Sequence, residues 1–384
     1  MTPGALEIDA TLLPSGERRT LWVRDGRIRF EPQASSAALP PGGFVLSGLV
    51  DAHTHADYPQ DALPDGGRPE FVRGNLRQFA QAGVLLMRDL GASSRTLEQL
   101  QRADGEPRVI PAGEALIGCA NPCFPVTTPE QMRQHAVEQI RPGVQWVKIF
   151  TDWPDPSVEV EGKSQYFGED NPLTCPPEKL TELVAAVHEK GGRVASHVFT
   201  KLGAEASVAA GVDSIEHGWG IDESLFPTML EKNIAWVPLV AIAAPMLEIA
   251  TRDGRPDQHA WIETCRARLR RTLPAAVQAG VVLLTGTDWF PMISVADEIN
   301  TLVQMGVPPS AALDAASSRA RRYFGHCGLE EGAAADLVWY RQDPRRNLPA
   351  VPDKILLDGA PVTPLRPQTP TPPSAEKTMH PAPH

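Results

Sequence analysis

Eight short apolar runs, rich in β-branched residues, recur between Phe44 and Asp288, and a segment of different periodicity separates each from the next. The runs are FVLSGLV, GVLLMRDL, RVIPAGEALI, WVKIF, RVASHVF, SIEHG, IAWVPLV and VVLLTGTD. The intervening stretches, among them PEQMRQHAVEQI, PEKLTELVAAVHEKG, TKLGAEASVAAG and IETCRARLRRTLPAAVQAG, have the spacing of amphipathic helices. Most end in Gly or Asn just before the next run, as a helix C-cap does. Strands that alternate with helices become parallel neighbours joined by crossovers, which leaves few architectures. Eight such units over roughly 280 residues predict a (β/α)8 TIM barrel. A doubly wound open sheet would use the same alternation, but no GxGxxG or P-loop follows the first run.

The two ends of the chain follow a different pattern. LEIDATLL and TLWVRDGRIRF alternate in the manner of strands, and turn chemistry at Pro40–Gly43 closes that region. Strand character returns beyond Arg322, in GHCGLEEGAAADLVWYRQDP and ILLDGAPV. The expected organisation is α/β: a small β-sandwich domain formed from both chain ends (residues 1–43 and 325–363) beside a barrel over 44–324. Residues 364–384, dense in Pro, Thr and Ser, are expected to be a disordered tail.

Composition excludes several function classes. With 42% hydrophobic and 22% charged residues the chain has the balance of a globular protein. Its net charge of −11 is spread along the length, which argues against a nucleic-acid or anionic-membrane partner. No apolar run approaches the roughly 18 residues of a membrane helix. The segment MTPGALEIDATLLPSGERR lacks the basic and apolar regions of a secretory signal. Together with only five cysteines, this makes reduced thiols and a cytoplasmic location the expectation. The expected partner is a small-molecule substrate, and a homo-oligomer is compatible with the sequence.

The chemistry-bearing residues fall at the ends of the predicted strands. His53 and His55, two apart, present two imidazoles to one point at the end of the first run. His197, His217 and Asp288 close the fifth, sixth and eighth runs, at the barrel end where active sites are built. A lone core histidine is usually a hydrogen-bonded structural residue, and an aspartate at such a place can merely cap a helix. Four histidines and an aspartate at four strand ends are hard to assign to packing, and they suit zinc or a similar divalent ion. Lys148 lies inside WVKIF with Val147 and Ile149 on the opposite face, so it points into the barrel. An isolated strand lysine is most simply salt-bridged. Beside a metal constellation, a buried amine of lowered pKa has another use.

With GLVDAHTH, the VKIF lysine, the strand-five histidine, AGVDSIEHG, the GTD aspartate and the returning GLEEGAAADLVWY segment, the chain resembles the metal-dependent amidohydrolase superfamily. The likeness is to its imidazolonepropionase-like and prolidase-like branch, and it extends from the N-terminal strands to about Val362. It implies a (β/α)8 barrel with a β-sandwich made from both ends. It also implies two divalent metal ions, with zinc the expected element: one held by His53, His55 and Asp288, the other by His197 and His217. Lys148, carboxylated by carbon dioxide, would bridge them. Two such ions lower the pKa of a shared water, with Asp288 as proton acceptor and donor. The implied reaction is hydrolysis of an amide, peptide or cyclic amide, for example in a dipeptide or N-acyl amino acid. Lactone, ester or phosphotriester hydrolysis at the same site is the alternative, and a non-catalytic barrel binding protein is the reading from another class.

Deaminases of this superfamily need a glutamate soon after the strand-five histidine, and Val198-Phe199-Thr200-Lys201 supplies no acid there. Prolidase-like relatives carry Gly-Gly-His after strand three. Here the residues are Gly118-Cys119-Ala120-Asn121-Pro122-Cys123-Phe124, so substrate identity does not carry over. The connection from Asp152 to Pro177 is long and is expected to line the site. Tyr166 and Lys163 within it, and Trp219 after the strand-six histidine, are the expected substrate contacts, for a substrate with an apolar or aromatic group. Glu216, preceding a ligand on a strand, is expected to point away from the site into a salt bridge on the outer layer.

Overall fold

The computed structural model describes residues 5–57, 68–91, 100–118, 127–154, 168–288 and 290–365. Parallel strands β6 (Leu49–Thr54), β7 (Val84–Asp89) and β8 (Arg108–Pro111) form one sheet. A second parallel sheet contains β9 (Trp146–Phe150), β10 (Arg193–Val198), β11 (Ser214–His217) and β12 (Ala235–Val237), in spatial order of sequence. Bridges from Ala112 to Trp146 and from Leu116 to Ile149 connect the two. Every residue of β6, β7, β9, β11 and β12 is buried. Helices cover the outer faces, so these strands read as nearly continuous apolar runs.

The eighth expected strand forms no regular ladder. Val282–Asp288 instead makes single backbone bonds on both sides. Trp236 N donates to Val282 O and Leu284 N to Trp236 O, while Ala52 N donates to Thr285 O and Asp288 N to His53 O. Gly286 explains the tight approach: a Cβ there would lie 2.8 Å from both His53 Cβ and Leu239 Cδ2.

The helices stop where the sequence signals. Lys201–Ala210 starts at Thr200, whose side chain accepts from Gly203 N, and ends at Gly211 with φ +81°. Only glycine adopts that left-handed cap cheaply. The segment from Pro177 to Glu189 buries Leu180, Leu183, Val184 and Val187 on one stripe against the strands.

Strands from the two chain ends pair in one eight-stranded sheet. Its strands are β1 (Ala5–Leu12), β2 (Glu17–Arg24), β3 (Arg27–Arg29), β4 (Ser35–Ala38), β5 (Gly43–Ser47), β13 (Leu337–Tyr340), β14 (Lys354–Leu357) and β15 (Ala360–Val362). The boundary differs from the sequence reading, because FVLSGLV splits at Gly48. Its first half, β5, pairs with β1 and β13, and only its second half, β6, joins the parallel strands. At the break a Cβ on residue 48 would lie 2.5 Å from Leu85 Cδ1, so the chain turns where only glycine fits. Pro364 and Leu365 of the expected tail are described, and the rest of it lies outside the described residues.

This sheet has its own core, in which Ile8, Leu21, Val23, Ile28, Val45, Leu337, Trp339 and Leu356 pack together. A polar hinge joins it to the parallel strands. Asp336 is buried and receives Arg108 Nε at 3.1 Å and Arg321 Nη1 at 3.5 Å, while Arg321 Nε donates to Gly48 O at 3.0 Å. No helix among the described residues is long and apolar enough to cross a membrane.

Trp339 is fully buried with its ring against the backbone of Gly43. Trp339→Ala should lower unfolding free energy by about 3–5 kcal/mol, the usual cost of an aromatic-to-alanine cavity. Chemical denaturation of the metal-free protein measures it, and a loss well below this range would mean that the sheet recloses around the cavity.

Candidate metal centre

The strand registers bring the sequence-predicted residues to one place. In β9 and β10 Lys148 pairs with Ala195 and Phe150 with His197, and His197 in turn pairs with Glu216 of β11. Residues paired across parallel strands share a face, so Lys148, His197 and Glu216 all point inward. Lys148 Nζ lies 3.4 Å from His53 Nε2. Asp288 Oδ1 is 3.2 Å from His55 Nε2 and 3.6 Å from His53 Nε2, and its Oδ2 is 3.9 Å from His217 Nε2. The rings of His197 and His217 are 4.6 Å apart. All six predicted ligand positions therefore converge, and donor atoms of His53, His55 and Asp288 lie within 4.8 Å of one another.

Two of these residues occupy a backbone region rare for non-glycine side chains: His217 has φ +62° and Asp288 φ +58°. Leu239, beside Gly286, has φ +51°. Such conformations cost of order 1–3 kcal/mol each and concentrate at functional sites. Helix capping does not account for Asp288, since Ser294 caps the next helix by accepting from Asp297 N.

Glu216 departs from the sequence reading. It does form a salt bridge, but in the interior: Oε1 is 2.7 Å from Arg88 Nη2, and Oε2 is 2.9 Å from His53 Nδ1. Strict alternation along β11 would have sent Glu216 and His217 to opposite faces. The positive φ of His217 breaks that alternation and lets both reach the interior. Arg88 of β7 is fully buried with its guanidinium 4.3 Å over the Trp146 ring.

Trp219 differs as well. It is fully buried and its indole N–H donates to Pro238 O at 2.9 Å, so it packs behind Phe199 rather than presenting to substrate. Tyr166, Lys163, Cys119, Cys123 and Trp289 lie outside the described residues. An aromatic wall surrounds His197: Trp153, from the long connection expected to line the site, has its ring centroid 5.2 Å away, and Phe150 and Phe199, which the sequence did not single out, are at 4.6 and 5.1 Å. Asp152 was also missed as an anchor. Its carboxylate accepts from Phe199 N, Thr200 N and Thr200 Oγ1, fixing the chain just beyond His197.

Electrostatics prepares these groups for a cation. Burial, with Lys148 adding to it, pushes His53 down to about 4, and burial pushes His197 and His217 well below the usual imidazole range. All three rings are thus neutral, the form that binds metal. Burial alone would raise Asp288, but His53 and the hydrogen bond from His55 outweigh it and hold the carboxylate ionised. His217 Nδ1 is buried without a hydrogen-bond partner among the described residues. Neutral imidazoles, one of them with an unmatched ring nitrogen, around an ionised carboxylate are a donor set of the composition divalent ions take.

The profile of the amidohydrolase family matches residues 44–360, a span that includes every one of these side chains. The chain belongs to the amidohydrolase family. As a member it is a hydrolase acting on carbon–nitrogen bonds, and the His53–His55–Asp288 group accords with the metal dependence general in the family. An uncharacterized protein of Mycobacterium tuberculosis is 34% identical over 360 residues, spanning 90% of this amidohydrolase and 93% of that protein. Ochratoxinase from Aspergillus niger is 26% identical over 286 residues, covering 69% and 57% of the two chains. Its crystal structure superposes with a TM-score of 0.73 at 21% identity, covering 94% and 96%. A Xaa-Pro dipeptidase with bound methionine has the same fold, with TM-score 0.72 at 19% identity over 93% and 99% of the two chains.

Burial also pushes the Lys148 ammonium down to about 8, against 10.5 in a free side chain. Between these values the unfolded chain binds more protons than the folded one, so stability contributed by this residue rises with pH across that window. In chelator-treated protein, wild type should gain stability from pH 8 to pH 10.5 relative to Lys148→Met, as read by denaturant midpoints. Parallel profiles would show that the amine is not held in a desolvated state.

Proposed function

We propose that this amidohydrolase uses two divalent ions, zinc being the expected element, to hydrolyse an amide or peptide bond in a dipeptide or N-acyl amino acid bearing an apolar or aromatic group. The observation that carries the reading is the convergence of His53, His55, Lys148, His197, His217 and Asp288 on one interior point. We further infer that the parallel strands close into a (β/α)8 barrel, which the backbone bonds of Val282–Asp288 to both β12 and β6 support. His53, His55 and Asp288 would hold one ion, His197 and His217 the other. Lys148, its neutral amine joined to carbon dioxide as a carbamate with loss of a proton, would bridge the pair. When bound, such ions polarise the scissile carbonyl and make water a nucleophile at neutral pH.

The chain's own residues do the rest. Asp288, ionised and near 3–4 Å from three imidazoles, accepts the proton of the attacking water and returns it to the departing amine. The carbonyl carbon gains the water oxygen as its bond to nitrogen breaks. Phe150, Trp153 and Phe199 make a dry wall around His197 that excludes solvent and receives an apolar group. Likeness to ochratoxinase and to a Xaa-Pro dipeptidase supports the amide and dipeptide classes.

A panel of N-acyl amino acids and dipeptides, assayed with and without added zinc, tests the substrate class. On the best substrate, Asp288→Asn should lower kcat by about 10²–10⁴-fold with little change in KM, because a proton-transfer group acts in the transition state. Turnover near wild type would remove Asp288 from the chemistry.

A further inference from the structure

A fully buried chain of hydrogen bonds leads away from the proposed centre: His53, Glu216, Arg88 and Ser214. Glu216 Oε2 meets His53 Nδ1 at 2.9 Å. On the other oxygen, Oε1 accepts from Arg88 Nη2 at 2.7 Å and from Ser214 Oγ at 2.6 Å. Arg88 is itself braced, donating from Nε to Ala52 O at 2.7 Å and from Nη1 to Ser214 Oγ at 2.9 Å. Ser214 and Glu216 lie two apart on β11, and Ala52 precedes His53 on β6, so three strands hold the network rigid.

We propose that Glu216 is a positioning residue for the metal centre: it takes the Nδ1 proton of His53 and so turns the lone pair of Nε2 toward Lys148 and Asp288. This rests on the reading of His53 as a metal ligand. An ionised carboxylate can only accept, which dictates Nδ1–H and leaves Nε2 bare. Arg88 keeps that carboxylate ionised by pairing with it where no water reaches. Carboxylates behind ligand histidines orient the ring and raise its basicity, and their loss typically costs about 10–100-fold in metal affinity.

The arrangement makes Glu216→Gln informative. Arg88 and Ser214 both donate to the Oε1 position, so they draw the amide oxygen there and leave the amide nitrogen facing His53 Nδ1. An NH2 group at that place selects the opposite tautomer, with Nε2 protonated and unable to ligate. The shape of the side chain is unchanged, so packing is retained.

The experiment combines ¹⁵N-histidine NMR of chelated protein with zinc titration against a competing chelator, for wild type, Glu216→Gln and His53→Ala. Wild type should show His53 protonated at Nδ1, and Glu216→Gln should shift it to Nε2 while lowering affinity for one zinc about 10–100-fold. Full zinc affinity in Glu216→Gln, with His53→Ala impaired, would overturn the positioning role and leave the metal reading standing. Unchanged affinity in both variants would overturn the metal reading and this inference with it. A wild-type His53 protonated at Nε2 overturns the proposal even if Glu216→Gln does not fold.

Discussion

The parallel strands bury Arg88, Lys148, Glu216 and Asp288 beside the neutral imidazoles of His53, His197 and His217. Removing such groups from water costs several kcal/mol per ion unless each is paired and hydrogen-bonded. The structure meets this requirement unevenly. Arg88 and Glu216 form a complete pair, and burial, which alone would raise the Glu216 carboxyl, is overcome by Arg88 so that it stays near 2. Among the described residues Lys148 forms no ion pair, and its Nζ lies 3.4 Å from His53 Nε2. The side toward Arg88 is electrostatically paired, and the side toward Lys148, Asp288 and the histidines carries the donor set of the proposed centre.

Much of this was legible in the sequence, because strand alternation and strand ends are periodic features. Lys148 could be aimed inward from WVKIF alone, and the register with Ala195 and His197 bears this out. What periodicity could not show was where the backbone departs from it. Glu216 was assigned to the wrong face because the φ of +62° at His217 cannot be seen in SIEHG. Trp219 looked like a cleft residue from its place after a ligand, yet its indole N–H finds Pro238 O across the wall. The boundary at Gly48 was hidden in the same way. FVLSGLV reads as one apolar run, and only the contact with Leu85 shows why it serves two sheets. Asp152 and the aromatic wall involve residues far apart in sequence, which no local pattern links.

The two-ended sheet also bears on the site. Arg321 donates to Gly48 O just ahead of β6, and Asp336 ties Arg321 to Arg108 of β8. The sheet therefore braces the strands that bear His53 and Arg88 from the end opposite the proposed ligands. Precision at the metal-binding end rests on rigid elements, as sites of fixed geometry require.

The most direct test of the account is an anomalous-difference map at the zinc absorption edge from crystals of zinc-loaded protein. The account predicts two peaks, one bounded by His53, His55 and Asp288 and the other by His197 and His217, with continuous density joining Lys148 Nζ to both. A single peak, or an unmodified Lys148 remote from the ions, would contradict it.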